Sequence, residues 1–411
     1  MIVYRKNKLY VEQVPLDRIA ESTGTPVYVY SKKQLLSGYR AYTKAFRGIP
    51  HLICYALKAN SNLALLKLLA QEGSGADIVS GGELFRALKA GISPKKIVFA
   101  GVGKTEEEIR LALKKNILAI HVESEEELDL VNQIAMKLRR KAPISFRVNP
   151  NVDPQTHPYI STGLKKHKFG IPIEFSIPLY LKASSMSNIR IEGIHIHLGS
   201  QISGILPFEE AIRMILNLVD FLKTQGITLN HIDIGGGLGI DYKNANAQAE
   251  PAALAAVVRS LWTQNRILLI LEPGRSIIAP AGVLLTKVLF TKENYDKRFV
   301  IVDAAMNDFI RPALYSAHHE IFPVGKFNRP AERVDVVGPV CETGDFFAKD
   351  RLLPKTAPGD LLALLHAGAY GFSMSSNYNS RKRPAEVLVD GSRFYTIRRR
   401  ETDLDLLRNE L

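Results

Sequence analysis

Lys58 lies just past the apolar run LICYA (52–56). A lysine there is either a surface residue whose aliphatic stem lies along a rim or an amine that desolvation turns into a Schiff-base nucleophile. Gly235, Gly236 and Gly237, followed by Leu238 and Gly239, let backbone N–H groups approach an anion. The run misses the dinucleotide fingerprint, whose final glycine would fall at Ile240, and it lacks the Lys-Ser/Thr of a Walker A loop. It reads as a flexible loop or as a cradle for a phosphate that carries no nucleotide. Glu272 ends the strongest apolar strand of the chain, ILLILE (267–272), where a carboxylate is costly unless paired. Its partner is either Arg275, three residues on, or the cationic ring nitrogen of a ligand. His195 and His197 stand two apart on a strand candidate, hence on one side of it, a spacing that suits zinc. A metal site of the barrel hydrolases would also need ligands on the first strand and at later strand ends. A lysine and a glutamate stand there instead, so no metal is expected. Cys341-Glu342 ends another strand candidate and precedes Thr343-Gly344-Asp345. A buried free cysteine is usually inert packing, and only this acidic, glycine-containing setting raises Cys341 above that.

Such residues need a scaffold that gathers strand ends. Short apolar runs at 52–56, 76–79, 97–100, 118–122, 143–148, 191–198, 230–234 and 267–272 alternate with amphipathic helical stretches at 61–72, 82–90, 106–116, 125–141, 174–184, 207–225 and 251–265. Thr105 with Glu108 and Ser124 with Glu127 fit capping boxes, and Gly73, Gly91 and Gly226 sit where left-handed C-caps are needed. Eight strands alternating with seven helices predict a (β/α)8, TIM-like barrel. A doubly wound open sheet is the alternative, but the count closes at eight and the alternation then stops. Barrel enzymes carry their chemistry at the C-terminal strand ends, where Lys58, His197, Ser200, the glycine run, Glu272 and Arg275 all fall. Beyond Arg275, strand-like runs at 282–293, 298–303, 333–341, 361–365 and 385–398 follow without long helices, and Asp390-Gly391 reads as a tight hairpin turn. The expected organisation is α/β plus β: a barrel over 24–275 and a mostly β C-terminal domain over 276–411, joined by residues 1–23.

The 411 residues exceed one ordinary domain, and 46% apolar with 23% charged residues is ordinary for a globular protein. No apolar stretch reaches membrane-spanning length and the N-terminus lacks a signal-peptide core, so a cytoplasmic location without membrane association is expected. The net charge of +13 comes with scattered basic clusters, Arg139-Arg140-Lys141, Arg381-Lys382-Arg383 and Arg398-Arg399-Arg400, and with no nucleic-acid module. Solvated faces are the expected reading, without a nucleic-acid partner. The two cysteines, Cys54 and Cys341, make no disulfide framework.

Taken in order, YALKANSN (55–62), GADIVSGGE (75–83), RVNPNVDPQTHPYISTG (147–163), GIHIHLGSQI (193–202), IGGGLGIDY (234–242), EPGRS (272–276), FIRPALY (309–315), VVGPVCETGD (336–345) and GAYGFSMSSNYNSRKRPAEVLV (368–389) resemble the diaminopimelate decarboxylases, of the alanine racemase-like, fold type III class of pyridoxal-phosphate enzymes. The resemblance covers nearly the whole chain. It implies decarboxylation of meso-2,6-diaminopimelate to L-lysine and CO2, the last step of lysine biosynthesis, with pyridoxal 5'-phosphate as cofactor. Carried over position by position, Lys58 would hold the cofactor as a Schiff base and His197 would stack on its ring. Glu272 would pair with the ring nitrogen. Ser200, Gly235, Gly236, Gly237, Gly274 and Arg275 would hold the phosphate side. Arg275, Arg311, Tyr315 and Glu342 would bind substrate, Tyr370 would touch both cofactor and substrate, and Cys341 would donate a proton. The family's Cys–Glu segment enters the other subunit's site, which implies a homodimer.

The departures are small: CETGD stands where CESGD is commoner, and Leu365-His366 precede GAYG where an Asp is common. Neither touches a catalytic atom in this reading. A decarboxylase of ornithine, arginine or lysine would share the cofactor core, but those substrates lack a second carboxylate. A racemase would need an acid–base residue on each face of Cα. An inactive regulatory homologue need not keep Lys58 and Cys341.

Overall fold

The computed structural model describes residues 2–153, 168–244, 250–262, 266–326 and 328–411. Residues 154–163 of the RVNPNVDPQTHPYISTG motif and the end of the helix read over 251–265 lie outside them. The chain divides into two units, one of residues 39–239 with 249–276, the other of residues 1–38 with 240–248 and 277–411.

The first unit is the expected barrel. Its strands are β1 (His51–Ala56), β2 (Gly75–Ile78), β3 (Ile97–Phe99), β4 (Ala119–Val122), β5 (Ala142–Asn149), β6 (Ile189–His195), β7 (His231–Asp233) and β8 (Leu268–Leu271). All neighbours pair in parallel, and β8 pairs with β1 to close the ring. Every residue of β2, β4 and β5 is buried, because helices cover the outside and side chains fill the inside. The helix caps carry out the local signals. Thr105 and Glu108 form a complete capping box at Glu106–Lys115. At Glu125–Lys137 only half of the expected box forms: Ser124 accepts the Glu127 N–H, but the Glu127 carboxylate accepts the Glu123 N–H at 2.7 Å and the Lys104 ammonium at 2.7 Å. Gly73, Gly91 and Gly226 take φ of 89°, 92° and 78°, the left-handed region that ends helices cheaply only with glycine.

The second unit is β-rich. One sheet runs in the order Phe346–Pro354, Ala331–Val337, Lys297–Val302, Gly282–Asn294, Val27–Ser31, Ala385–Asp390, Arg393–Arg398, with Leu361–Leu364 joining Gly282–Asn294 to Ile321–Pro323. The hairpin turn is Gly391-Ser392, one residue beyond the expected Asp390-Gly391, because Asp390 still pairs with Arg393; Gly391 takes φ 63°. Val27–Ser31 falls inside the span read as barrel, yet it pairs antiparallel with Gly282–Asn294 and parallel with Ala385–Asp390. Leu9, Val11, Val14, Leu16 and Ile19 share one apolar core with Val27, Val29, Val283, Leu285, Val387 and Val389.

Candidate active site

Lys58 sits on a single 3-10 turn, Leu57–Ala59, directly after β1. Its ammonium donates to Asp77 Oδ2 on β2 at 2.7 Å. Asp77 is fully buried, and its carboxyl is pushed up to about 6, first by loss of water and then by the charge of Glu272, while Lys58 pulls the other way. On the helix that follows β2, Gly81–Lys89, Glu83 is pushed up to about 7 by burial, with its carboxylate on the Val79 N–H.

Glu272 follows β8 and is 3% exposed. Its Oε2 lies 3.3 Å from His195 Nε2 at the end of β6, and its Oε1 lies 3.8 Å from His121 Nδ1 on β4. The other His121 nitrogen is 3.8 Å from Asp233 Oδ2 at the end of β7, and the two imidazoles stack with centroids 4.1 Å apart. Burial drives both histidines well below their ordinary range, aided at His195 by the charges of Arg147 and Lys58. Burial raises Asp233 strongly. It raises Glu272 too, against the pull of Lys58 and Arg147. Glu272 is thus the carboxylate with cations in view, set among neutral imidazoles. Its Oε1 and Asp77 Oδ1 are buried without a hydrogen-bond partner among the described residues.

The expected His195–His197 pair does not form. Strand pairing ends at His195, so the period-two rule does not carry over to His197. The His197 ring instead accepts the Gly236 N–H through Nδ1 at 3.1 Å, while His195 joins His121, Asp233 and Glu272. Those four ligand atoms lie within 4.8 Å of one another.

The glycine run is needed for its packing. A Cβ on Gly235 would meet the Ile196 carbonyl oxygen at 2.4 Å, one on Gly236 the Glu272 carbonyl oxygen at 2.1 Å, and one on Gly237 the Gly199 carbonyl oxygen at 2.4 Å. Gly235 and Gly237 also take φ of 69° and 109°. Two of the N–H groups expected to face an anion are committed within the protein: Gly235 donates to Asp233 Oδ1 at 2.8 Å and Gly236 to His197. Arg275 donates to Ser200 Oγ through Nε at 3.1 Å and Nη2 at 2.9 Å, rather than serving as the simple partner of Glu272. A Cβ on Gly274 would touch the Ala56 and Ala59 methyls at 3.0 Å.

Residues 32–279 match the pyridoxal-binding domain of the pyridoxal-dependent decarboxylases. The chain is 51% identical to the diaminopimelate decarboxylase of Aquifex aeolicus, over 97% of this chain and 94% of that one. It is also 51% identical to the Pseudomonas aeruginosa protein of that name, over 99% and 98%. The crystal structure of diaminopimelate decarboxylase from Helicobacter pylori complexed with L-lysine superposes with a TM-score of 0.92 at 45% identity, covering 96% of this chain and 99% of that one. The chain belongs to the diaminopimelate decarboxylase family.

The residues that the family resemblance singles out in the barrel unit are Lys58, His197, Ser200, Gly235 to Gly237, Glu272, Gly274 and Arg275, and all follow the C-terminal ends of β1, β6, β7 and β8. They fit the family's cofactor: an amine for its aldehyde carbon, a buried carboxylate with an orphaned oxygen for its ring nitrogen, and an arginine–serine pair beside the close-packed glycine run for its phosphate. In the β unit, Arg311 opens and Tyr315 ends a short helix, Arg311–Tyr315, and Arg311 is 5% exposed. Cys341 and Glu342 are exposed on the turn between Ala331–Val337 and Phe346–Pro354. The Cys341 N–H donates to Asn379 Oδ1, and Asp345 braces the turn by accepting the Val340 and Met306 N–H groups. Tyr370 takes φ 55°, uncommon for a bulky side chain and frequent at functional loops. Sequence reasoning missed Asp77, His121, Arg147 and Asp233. Their only signal was a charged or polar residue inside a strand with no polar face to spare.

Proposed function

We propose that this chain decarboxylates meso-2,6-diaminopimelate at its D-centre to give L-lysine and CO2, with pyridoxal 5'-phosphate held by the barrel. The observation that carries the reading is the buried Glu272, which faces Lys58 and Arg147 electrostatically and whose Oε1 has no hydrogen-bond partner among the described residues. Pyridoxal phosphate, when bound, supplies the electron sink for the charge left on Cα as CO2 departs.

The protein's own residues supply the rest. Lys58 would hold the aldehyde carbon and exchange with the substrate amine, with Asp77 taking up the freed ammonium. Glu272 would keep a proton on the ring nitrogen through a charged hydrogen bond. His197 would cover the ring face, and Ser200, Gly237, Gly274 and Arg275 would hold the phosphate, with Gly235 and Gly236, whose N–H groups are spent on Asp233 and His197, letting the backbone pack closely beside it. Cys341 would deliver the proton that replaces CO2 on Cα, and Tyr370 would touch both cofactor and substrate. Arg311, with Arg275 and Tyr315, would bind the carboxylate of the non-reacting end in a two-bond fork, and Glu342 its ammonium. The exposed Cys341–Glu342 turn supports a homodimer in which this turn serves the partner's site. No helix of the described residues is long and apolar enough to cross a membrane, and we assign the enzyme to the cytoplasm.

A substrate with one carboxylate would leave buried arginine without its anion, at about 2–5 kcal/mol. The test is turnover of meso-diaminopimelate against lysine, ornithine and arginine, in wild type and Arg311→Ala. The reading requires the two-carboxylate substrate to be preferred and Arg311→Ala to erode that preference. A wild-type preference for a one-carboxylate substrate overturns it.

A further inference from the structure

We propose that His319 is a positioning residue for substrate recognition: as a neutral imidazole it holds the Arg311 guanidinium in place for the carboxylate at the substrate's non-reacting end. This rests on the reading that Arg311 binds that carboxylate.

The local fold brings the two together. The helix Arg311–Tyr315 ends at Ser316, whose left-handed φ of 50° turns the chain back on itself. The Ala317 N–H then returns to the Arg311 carbonyl, and His319 meets the side chain eight residues earlier. Arg311 Nη1 lies 2.7 Å from His319 Nε2, and His319 Nδ1 lies 2.8 Å from the Leu365 carbonyl oxygen.

These two contacts fix the tautomer. A carbonyl oxygen only accepts, so Nδ1 carries the hydrogen. A guanidinium only donates, so Nε2 presents its lone pair. The ring is therefore neutral and can take no second proton without losing Arg311. Its surroundings agree: His319 is fully buried, the rings of Phe309 and Tyr242 pack against it in T-shaped contacts with centroids 4.6 and 4.9 Å away, and burial together with the Arg311 charge depresses its basicity.

The consequence lies in charge. The Arg311 guanidinium also stands over the Tyr242 ring, 4.6 Å from its centroid. The nearest acid in sequence, Asp308, spends its carboxylate oxygens on the Ala305 N–H and the Asn307 amide. An imidazole and an aromatic face orient the cation without bringing a negative charge of their own. A carboxylate in the place of His319 would orient Arg311 equally well and cancel the charge that an anionic substrate must meet.

The test is steady-state kinetics of the holoenzyme on meso-diaminopimelate, with thermal unfolding of each variant. His319→Leu removes the acceptor and should raise KM about tenfold to 100-fold, the range for a lost bond to a charged group, while kcat stays within about threefold. His319→Gln keeps an acceptor oxygen and should return KM to within about threefold of wild type. His319→Glu keeps an acceptor but adds a negative charge, and should raise KM as far as His319→Leu does. If Arg311→Ala raises KM while His319→Leu and His319→Gln both leave it at the wild-type value, the inference fails and the reading of Arg311 stands. If Arg311→Ala leaves KM unchanged, that reading fails and takes the inference with it. Should His319→Leu not fold, His319→Gln and His319→Glu decide: equal KM values for the two would refute the role assigned to neutrality.

Discussion

Replacing Asp77 by Asn should make the cofactor-free enzyme more stable relative to wild type as the pH rises. Asp77 is fully buried, and its folded value of about 6 stands above the ordinary 3.8 even with the Lys58 ammonium at 2.7 Å. A raised folded value means that the native state favours the protonated form. The resulting stabilisation is complete below about pH 4 and is lost as the pH climbs through 6. The full loss is about 3 kcal/mol, of which about 1 kcal/mol falls between pH 5 and 7.5. Asn carries no proton to lose. The Tm of Asp77→Asn minus that of wild type should therefore grow by about 1–2 °C over that interval, the shift that about 1 kcal/mol gives in a chain of 411 residues. Scanning calorimetry of both proteins at pH 5, 6 and 7.5 reads the gap directly. A gap that stays constant or narrows would refute the reasoning, because it would mean that burial does not hold a proton on Asp77.

Gly236→Ala places a methyl 2.1 Å from the Glu272 carbonyl oxygen, so backbone must move; we expect a loss of about 1–3 kcal/mol in unfolding free energy, read by denaturant titration, and weaker cofactor retention on dialysis. Glu272→Gln should keep the cofactor bound, as judged by visible absorbance, while turnover falls by about 10²-fold or more, since the amide cannot hold charge opposite the ring nitrogen. Mixing inactive Lys58→Ala with inactive Cys341→Ala subunits should restore part of the activity if each site takes Cys341 from the partner; no recovery despite proven subunit exchange would count against shared sites.

The barrel was legible because its signals are local and repeated. Apolar runs of strand length alternate with amphipathic helices, and caps such as Thr105–Glu108 mark where one becomes the other. The β unit was less so. Phe346–Pro354 reads FFAKDRLLP, charged at its centre, and carries no apolar pattern that marks a strand, because its partner strands decide its pairing. Val27–Ser31 escaped for another reason: it is buried throughout and lies between two helices, so nothing local tells which sheet will take it. At the site, Lys58, the glycine run and Glu272 stood out because each breaks an apolar strand at its end. Asp77, His121 and Asp233 did not, because parallel barrel strands are buried on both faces and no alternation reveals which residues point inward. His319 was invisible from spacing alone, since its meeting with Arg311 depends on the left-handed turn at Ser316.

Lys58 would carry the cofactor in the proposed site, and that attachment can be read chemically. Borohydride reduction of the holoenzyme followed by peptide mass mapping should leave a stable pyridoxyl-phosphate adduct on the peptide containing Lys58, with loss of visible absorbance and of turnover in step. An adduct on another lysine, or reduction that leaves Lys58 unmodified while activity is abolished, would contradict it.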